Sequence, residues 1–190
     1  MKLQISIIVV LILLLIGTGI VAQELPDALS AATIRNYENK PVSERDLNMI
    51  LKAGMNAPSA RGSRLWEYIV IRDREMLEKI NTMFRLIPTR DADFAIVVCA
   101  NHTKEKSRPL TWLLDVGFAA QSLRLQAEQL GIASVSCRIY PENDGRAAKF
   151  RELLDIPADV TPTIIIPFGY PASKGKEQVW DPTIVHREKY

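Results

Sequence analysis

His102 and His186 are the two imidazoles of this 190-residue chain, and Cys99 and Cys137 are its two thiols. A zinc site needs several nitrogen or sulfur ligands at short recurring spacings, and a redox pair needs neighbouring cysteines. Neither pattern is present. Both histidines fall in predicted loops without spaced Cys or carboxylate partners and read as surface residues. Both cysteines sit inside apolar runs and read as small core residues. There is no GxGxxG, no Walker loop and no nucleophile elbow. A chain with no assembled acid, base or nucleophile can still catalyse when a bound cofactor does the chemistry and the protein supplies orientation and charge.

Any such site must be held by the following elements. Ser43-Glu44-Arg45-Asp46 reads as a capping box that opens a helix, with Leu47, Ile50, Leu51 and Met55 as its apolar stripe and Pro58 as its stop. Trp66 to Ile71 reads as a strand, and Asp73 caps a short helix carrying Leu77, Ile80 and Phe84. Phe94 to Ala100 is a continuous apolar run, the mark of a strand buried on both faces. The longest element is a helix from about Thr111 to Leu130, closed by Gly131. Its residues Leu113, Val116, Ala120, Leu123, Ala127 and Leu130 alternate steps of three and four, a seam for another helix. Packing across a dimer axis explains that seam, and so does a core position in a monomer. Ile132 to Ile139 reads as a strand, Asn143 or Asp144 as the cap of a helix carrying Ala147, Phe150 and Leu154. Pro157 and Pro162 bracket a loop before a buried strand from Thr163 to Phe168. The tail from Ala172 to Tyr190 is polar and aperiodic, to be left loose or held by another surface. These elements imply an α+β fold, a sheet covered on both faces.

The first two dozen residues stand apart. Lys2 precedes a nearly unbroken apolar run from Leu3 to Ile16, then Gly17 to Ala22 and polar Gln23-Glu24. That is the order of a secretory signal ending at Ala22, and the run of ~20 residues is also long enough to span a bilayer. Cleaved signal and retained anchor both fit. Lys2 on the cytoplasmic side would put the rest outside, periplasmic or extracellular. The expected division is 1–22, a signal peptide or membrane anchor, and 23–190, one globular domain, with membrane contact only through the first if uncleaved. The 24 basic and 22 acidic side chains are interspersed and the formal net charge is +2, so nothing marks a nucleic-acid partner.

Six short motifs in order carry a resemblance: Thr33-Ile34-Arg35-Asn36-Tyr37, Leu47 to Trp66 with Ala57-Pro58-Ser59-Ala60, Asp115 to Gln121 with its helix to Gly131, Tyr140-Pro141 with Leu153 to Pro157, Gly169-Tyr170-Pro171, and Trp180-Asp181-Pro182 with His186. Each is weak alone, but the series covers nearly the whole chain after the leader and resembles the nitroreductase family, the FMN-dependent NAD(P)H oxidoreductases. The resemblance implies a three-layer α+β fold with a central, mainly antiparallel sheet flanked by helices and a long central helix at a dimer interface. It implies a homodimer with FMN in each of two interface clefts, taking hydride from NAD(P)H and passing it to a small electron-poor acceptor, a nitroaromatic or quinone. On this likeness Thr33 and Arg35 meet the flavin phosphate, Lys174 or Lys176 adds a second cation, and Pro58, Ser59, Ala60 and Gly62 contribute from the partner subunit. Cys137 and Arg138 fall where the backbone approaches the flavin.

The departures from the family pattern define a rival reading. Ala32 stands for a second Arg; Gly62, Arg64 and Leu65 replace Asn, Gln and Pro; Arg138 replaces an expected Gly, and Ser122 an Asn. Together they are what a non-catalytic flavin- or ligand-binding descendant of the fold would show.

Overall fold

The computed structural model describes residues 32–106, 111–140, 145–176 and 181–190. The predicted leader, the Asn143 or Asp144 cap and Trp180 lie outside the described residues. Among these residues no helix is long and apolar enough to cross a membrane.

Helix α1 spans Glu44–Met55. Its cap is the predicted one with a different return bond: Ser43 Oγ accepts the Asp46 N–H at 3.1 Å and donates its own proton to Asp46 Oδ2 at 2.8 Å. Strand β1 is Trp66–Ile71 and α2 is Arg74–Met83, capped by Asp73, whose carboxylate accepts the Met76 N–H at 2.8 Å. Strand β2 is Phe94–Asn101 and helix α3 is Thr111–Gln129. Then follow β3, Ala133–Ser134, β4, Cys137–Arg138, α4, Arg146–Leu153, and β5, Val160–Gly169.

The paired strands are all antiparallel, in the order β1-β2-β5-β3, with β4 also on β5. Because side chains alternate along a strand, β2 feeds two cores. Phe94, Ile96, Val98 and Ala100 face α1 and α3, among Leu47, Ile50, Val116 and Leu123. Ala95, Val97 and Cys99 face α2 and α4, among Leu77, Ile80, Ala147 and Phe150. The result is the expected three-layer α+β arrangement.

Two expectations are corrected by packing, and the open question of the α3 seam is decided. The strand expected over Ile132 to Ile139 is two short pieces: β3 pairs with Phe168 and Gly169, β4 with Ile164 and Ile165, and the break falls opposite Pro167, which has no N–H for a ladder. Pro162 lies inside β5, opposite Cys99 at a register shift between Val98 and Cys99, where an irregularity tolerates a proline. The seam of α3 faces α1 of the same chain, with Val116, Ala120, Leu123 and Ala127 buried. A different stripe points outward, with Leu114 62% and Phe118 48% exposed and Leu125 half-buried.

The α1–α3 crossing depends on Gly54. A Cβ there would lie 2.6 Å from Leu123 Cδ2 and 2.7 Å from the Tyr68 hydroxyl. Gly54→Ala gains about 1 kcal/mol of helix propensity, but overpacking costs typically ~1–3 kcal/mol. The crossing wins because Leu123 is fully buried. The variant is expected to unfold at lower urea concentration, by up to about 2 kcal/mol, and a midpoint at or above that of the parent would show that the helices can separate freely.

Candidate functional site

Two groups of predicted site residues form, at separate ends of α3. The first is built on the segment Thr33 to Tyr37. Its backbone is fixed between two strands: Thr33 bridges Ser134, and Tyr37 bridges Pro171. The buried Tyr37 hydroxyl lies 2.9 Å from the Ile34 carbonyl and 3.2 Å from that of Pro167. Burial pushes its acidity well below that of a free phenol, so it stays a donor. Gly169 is required here, since a Cβ would sit 2.9 Å from Tyr37 Cβ.

Along this segment Ala32 and Ile34 face a cleft of about 140 Å³ with Arg124, Glu128, Ser134 and Pro171, whereas Thr33 and Arg35 are exposed. Residue 32 is therefore not on the side that presents Thr33 and Arg35. Ala32 instead receives the tail: a Cβ on Gly175 would lie 2.5 Å from Ala32 Cβ. Lys174 and Lys176 flank that glycine, both exposed, so the tail cations are tied to the Thr33 segment.

The cations of Arg35, Arg146 and Arg124 all act electrostatically on Cys137. Burial outweighs these cations and pushes the Cys137 thiol up; Cys99, deeper, is pushed up to about 12 by burial. Both thiols are thus protonated at neutral pH, and neither is an activated nucleophile. Arg124 Nε donates to buried Ser134 Oγ at 3.2 Å, and Arg146 Nη1 donates to the Arg138 carbonyl at 2.8 Å. Arg124, Ser134 and Arg146 were not singled out from sequence. Arg124, a charge inside an apolar helix pattern, was the available signal.

The second group is the loop from Pro58 to Leu65. Its centre turns through left-handed backbone at Arg61 (φ 52°), Gly62 (φ 63°) and Arg64 (φ 45°). Asp115, 2% exposed, holds it: Oδ1 accepts the Ala60 N–H at 2.9 Å and Oδ2 accepts the Ser63 hydroxyl at 2.9 Å. Ser59 Oγ accepts the Arg64 N–H at 3.1 Å. Leu65 is fully buried and serves the core. Ser122 donates to the Phe118 carbonyl at 2.9 Å, within its own helix.

Removing the Asp115 carboxylate leaves the buried Ser63 hydroxyl and the part-buried Ala60 N–H unmatched, at ~1–3 kcal/mol for a fully buried group. Asp115→Ala is expected to destabilise by about 2–3 kcal/mol, and Asp115→Asn by clearly less, since its amide oxygen still accepts one bond and the Ser63 hydroxyl can rotate to accept the other. Equal urea midpoints for the two variants would remove this role.

The groups do not meet in one chain: Asp115 and Arg124 are about 14 Å apart along α3 at 1.5 Å per residue. His102 lies elsewhere, Nε2 2.9 Å from Thr161 Oγ1 and edge-on to Trp112 at 5.0 Å. His186, on the exposed tail, stacks on Tyr190 at 4.1 Å.

Comparison with known proteins bears on this arrangement. The family model described as "Nitroreductase family" matches residues 29–87 and 84–170. A protein of Methanothermobacter thermautotrophicus, provisionally named an NADH dehydrogenase/NAD(P)H nitroreductase, is 40% identical over 160 residues, 83% of each chain. The FMN reductase [NAD(P)H] of Bacillus subtilis is 25% identical over 178 residues, covering 83% of this chain and 70% of that protein. The solved structure of an FMN-dependent nitroreductase of Clostridium difficile R20291 superposes with a TM-score of 0.74 at 30% identity, covering 83% of this chain and 95% of that one. FMN is the cofactor of the family.

The exported location expected from residues 1–22 is overturned. The match begins only at residue 29 and is to a family whose members are typically cytoplasmic. No helix among the described residues supports the expected membrane contact. A three-layer α+β fold, with motifs in family order over nearly all of the matched chain, agrees with these likenesses: the chain is an oxidoreductase that belongs to the nitroreductase family.

Proposed function

We propose that residues 23–190 form one domain that works as a homodimer, binds FMN in two interface clefts, and uses NAD(P)H to reduce a small nitroaromatic or quinone. The single observation that carries this reading is the separation of the two half-sites along α3, with an exposed apolar stripe between them. A second copy running antiparallel over Leu114 and Phe118 brings its Pro58 to Leu65 loop to the first copy's Thr33 segment, and symmetry completes both clefts. The 140 Å³ recess within one chain is smaller than the ~300–1,000 Å³ of a typical cofactor pocket, so the partner is needed.

The residues present fit FMN. Thr33 and Arg35 offer a hydroxyl and a planar guanidinium fork, suited to bidentate contact with phosphate, and Lys174 and Lys176 add point charges. Gly175 permits that approach, because any side chain would strike Ala32. Cys137 and Arg138 form the adjacent strand, where a flavin ring can lie against the backbone. Pro58, Ser59, Ala60 and Gly62 belong to the partner's loop, and a side chain added at Gly62 would meet nothing within 4 Å. Bound FMN would supply the two-electron hydride chemistry that links the reduced nicotinamide to the acceptor. The protein's own part is to hold phosphate, fix the ring and exclude water.

The non-catalytic alternative rests on the departures at Gly62, Arg64 and Arg138. Leu65 and Ser122 no longer support it, since their contacts lie in the core and in their own helix. The deciding experiment is the visible spectrum of residues 23–190 with excess FMN, followed by desalting and NADPH. Retained flavin bands that bleach with NADPH and return with a quinone support the oxidoreductase. Retained bands that never bleach, or a protein that stays colourless, remove the oxidoreductase and support the alternative.

A further inference from the structure

The Pro58 to Leu65 loop carries two features that flavin binding alone does not require. Arg61 and Arg64 are both exposed, and no hydrogen bond or ion pair joins either guanidinium to another described residue. Both also hold left-handed backbone, at φ 52° and 45°, a conformation that costs non-glycine residues free energy. Such strain persists only where surrounding structure imposes it. Here that structure is Asp115, which grips Ala60 and Ser63 on either side of Arg61 and Gly62. A carboxylate almost wholly removed from solvent, spent on fixing a surface turn whose two free side chains are both cations, is an arrangement for presenting charge.

We propose that Arg61 and Arg64 read an anionic group on the substrate, a phosphate or a carboxylate, at the mouth of the cleft, and that Asp115 is the positioning residue that aims them. The proposal rests on the reading above, in which this loop borders the partner's cleft, and it deepens that reading by naming a substrate class. The guanidinium fork matches a phosphate or carboxylate in two parallel bonds, where the neutral Gln expected at position 64 would not distinguish charge. Two unpaired cations at a cleft mouth also raise the local concentration of anions, an effect that salt weakens.

The test uses the FMN-loaded protein and two matched pairs of substrates: NADPH against NADH as donors, and 4-nitrobenzoate against 4-nitrobenzamide as acceptors. The ratio of kcat/KM for the charged member to that for its less charged partner is read in the parent, in Arg61→Gln/Arg64→Gln, and in Arg64→Lys. Equilibrium binding of NADP+ and NAD+ is read alongside by quenching of tryptophan emission.

The expected result is a preference for the more anionic member in one pair, lowered about tenfold or more in the double variant and largely kept in Arg64→Lys. The salt dependence of the preferred substrate should flatten in step. A fall in the donor ratio and in NADP+ binding assigns the anion to the nicotinamide phosphate, and a fall in the acceptor ratio assigns it to the acceptor. Asp115→Ala should lower the same ratio and Asp115→Asn restore most of it, an outcome that a general loss of stability would not give. If flavin loads and turnover proceeds but neither ratio responds to the double variant, the inference is overturned and the proposed function stands. If the parent neither holds flavin nor oxidises NAD(P)H, both are overturned.

Discussion

Phe118→Asp is expected to turn the protein into a monomer and to abolish flavin retention in the same step. The side chain is 48% exposed on the outer face of α3, next to Leu114 at 62%, and they lie about two and three turns respectively from Leu125 on the same side of the helix. Burying a side chain of this size is worth about 1.5–3 kcal/mol, and two-fold symmetry applies each gain twice. The substitution forfeits those gains and places two carboxylates in a dry contact, at an effective penalty of several kcal/mol per ion. Folding should be nearly unaffected, because the inner face of α3 supplies the core. Sedimentation velocity and the visible spectrum after desalting check both halves. A monomer that keeps its flavin would mean that one chain holds the whole site, and a persistent dimer would move the interface elsewhere.

Phe94→Ala should be the most damaging single truncation in the fold, at about 3–5 kcal/mol. Phe94 is fully buried and stacks on Phe168 with ring centroids 4.9 Å apart and planes 13° from parallel, so it ties β2 to β5. Arg72 lies over the same ring at 5.4 Å. Total stabilities of domains this size are about 5–15 kcal/mol, so the variant should lose a large share of its urea resistance. A loss under about 1 kcal/mol, outside the range for buried aromatic truncations, would mean that the α1 and α3 side of the sheet can collapse onto the cavity.

Local chemistry was legible in the residues. Ser43 and Asp73 cap where their side chains reach the first-turn N–H groups, and the unbroken run from Phe94 is buried on both faces because helices cover both. What sequence could not supply was direction and partner. The spacing of Val116, Ala120, Leu123 and Ala127 marks a buried face, but periodicity cannot say whether the covering helix belongs to the same chain; Gly54 shows that it does. Adjacent residues Ala32 and Thr33 look equivalent in a motif, yet extended backbone sends them to opposite sides, and only Thr33 shares a side with Arg35. The Asp115 clamp depends on α3 meeting a loop more than fifty positions earlier, a contact no local pattern encodes. Arg35 was readable because its role depends on its own chemistry.

The β2–β5 ladder fixes how quickly this molecule can form. Phe94 pairs with Phe168 and Asn101 with Val160, so all of α3 is enclosed in the loop that must close before the central pairing exists. Loop closure of that length must be met in entropy before the ladder returns anything, and domains dominated by such distant contacts fold slowly. During that delay β2, apolar along nearly all its length, has an unpaired edge where β5 will later lie. The newly made chain is then at its most vulnerable to pairing with another copy, and low temperature and dilution during refolding should raise the yield of native protein.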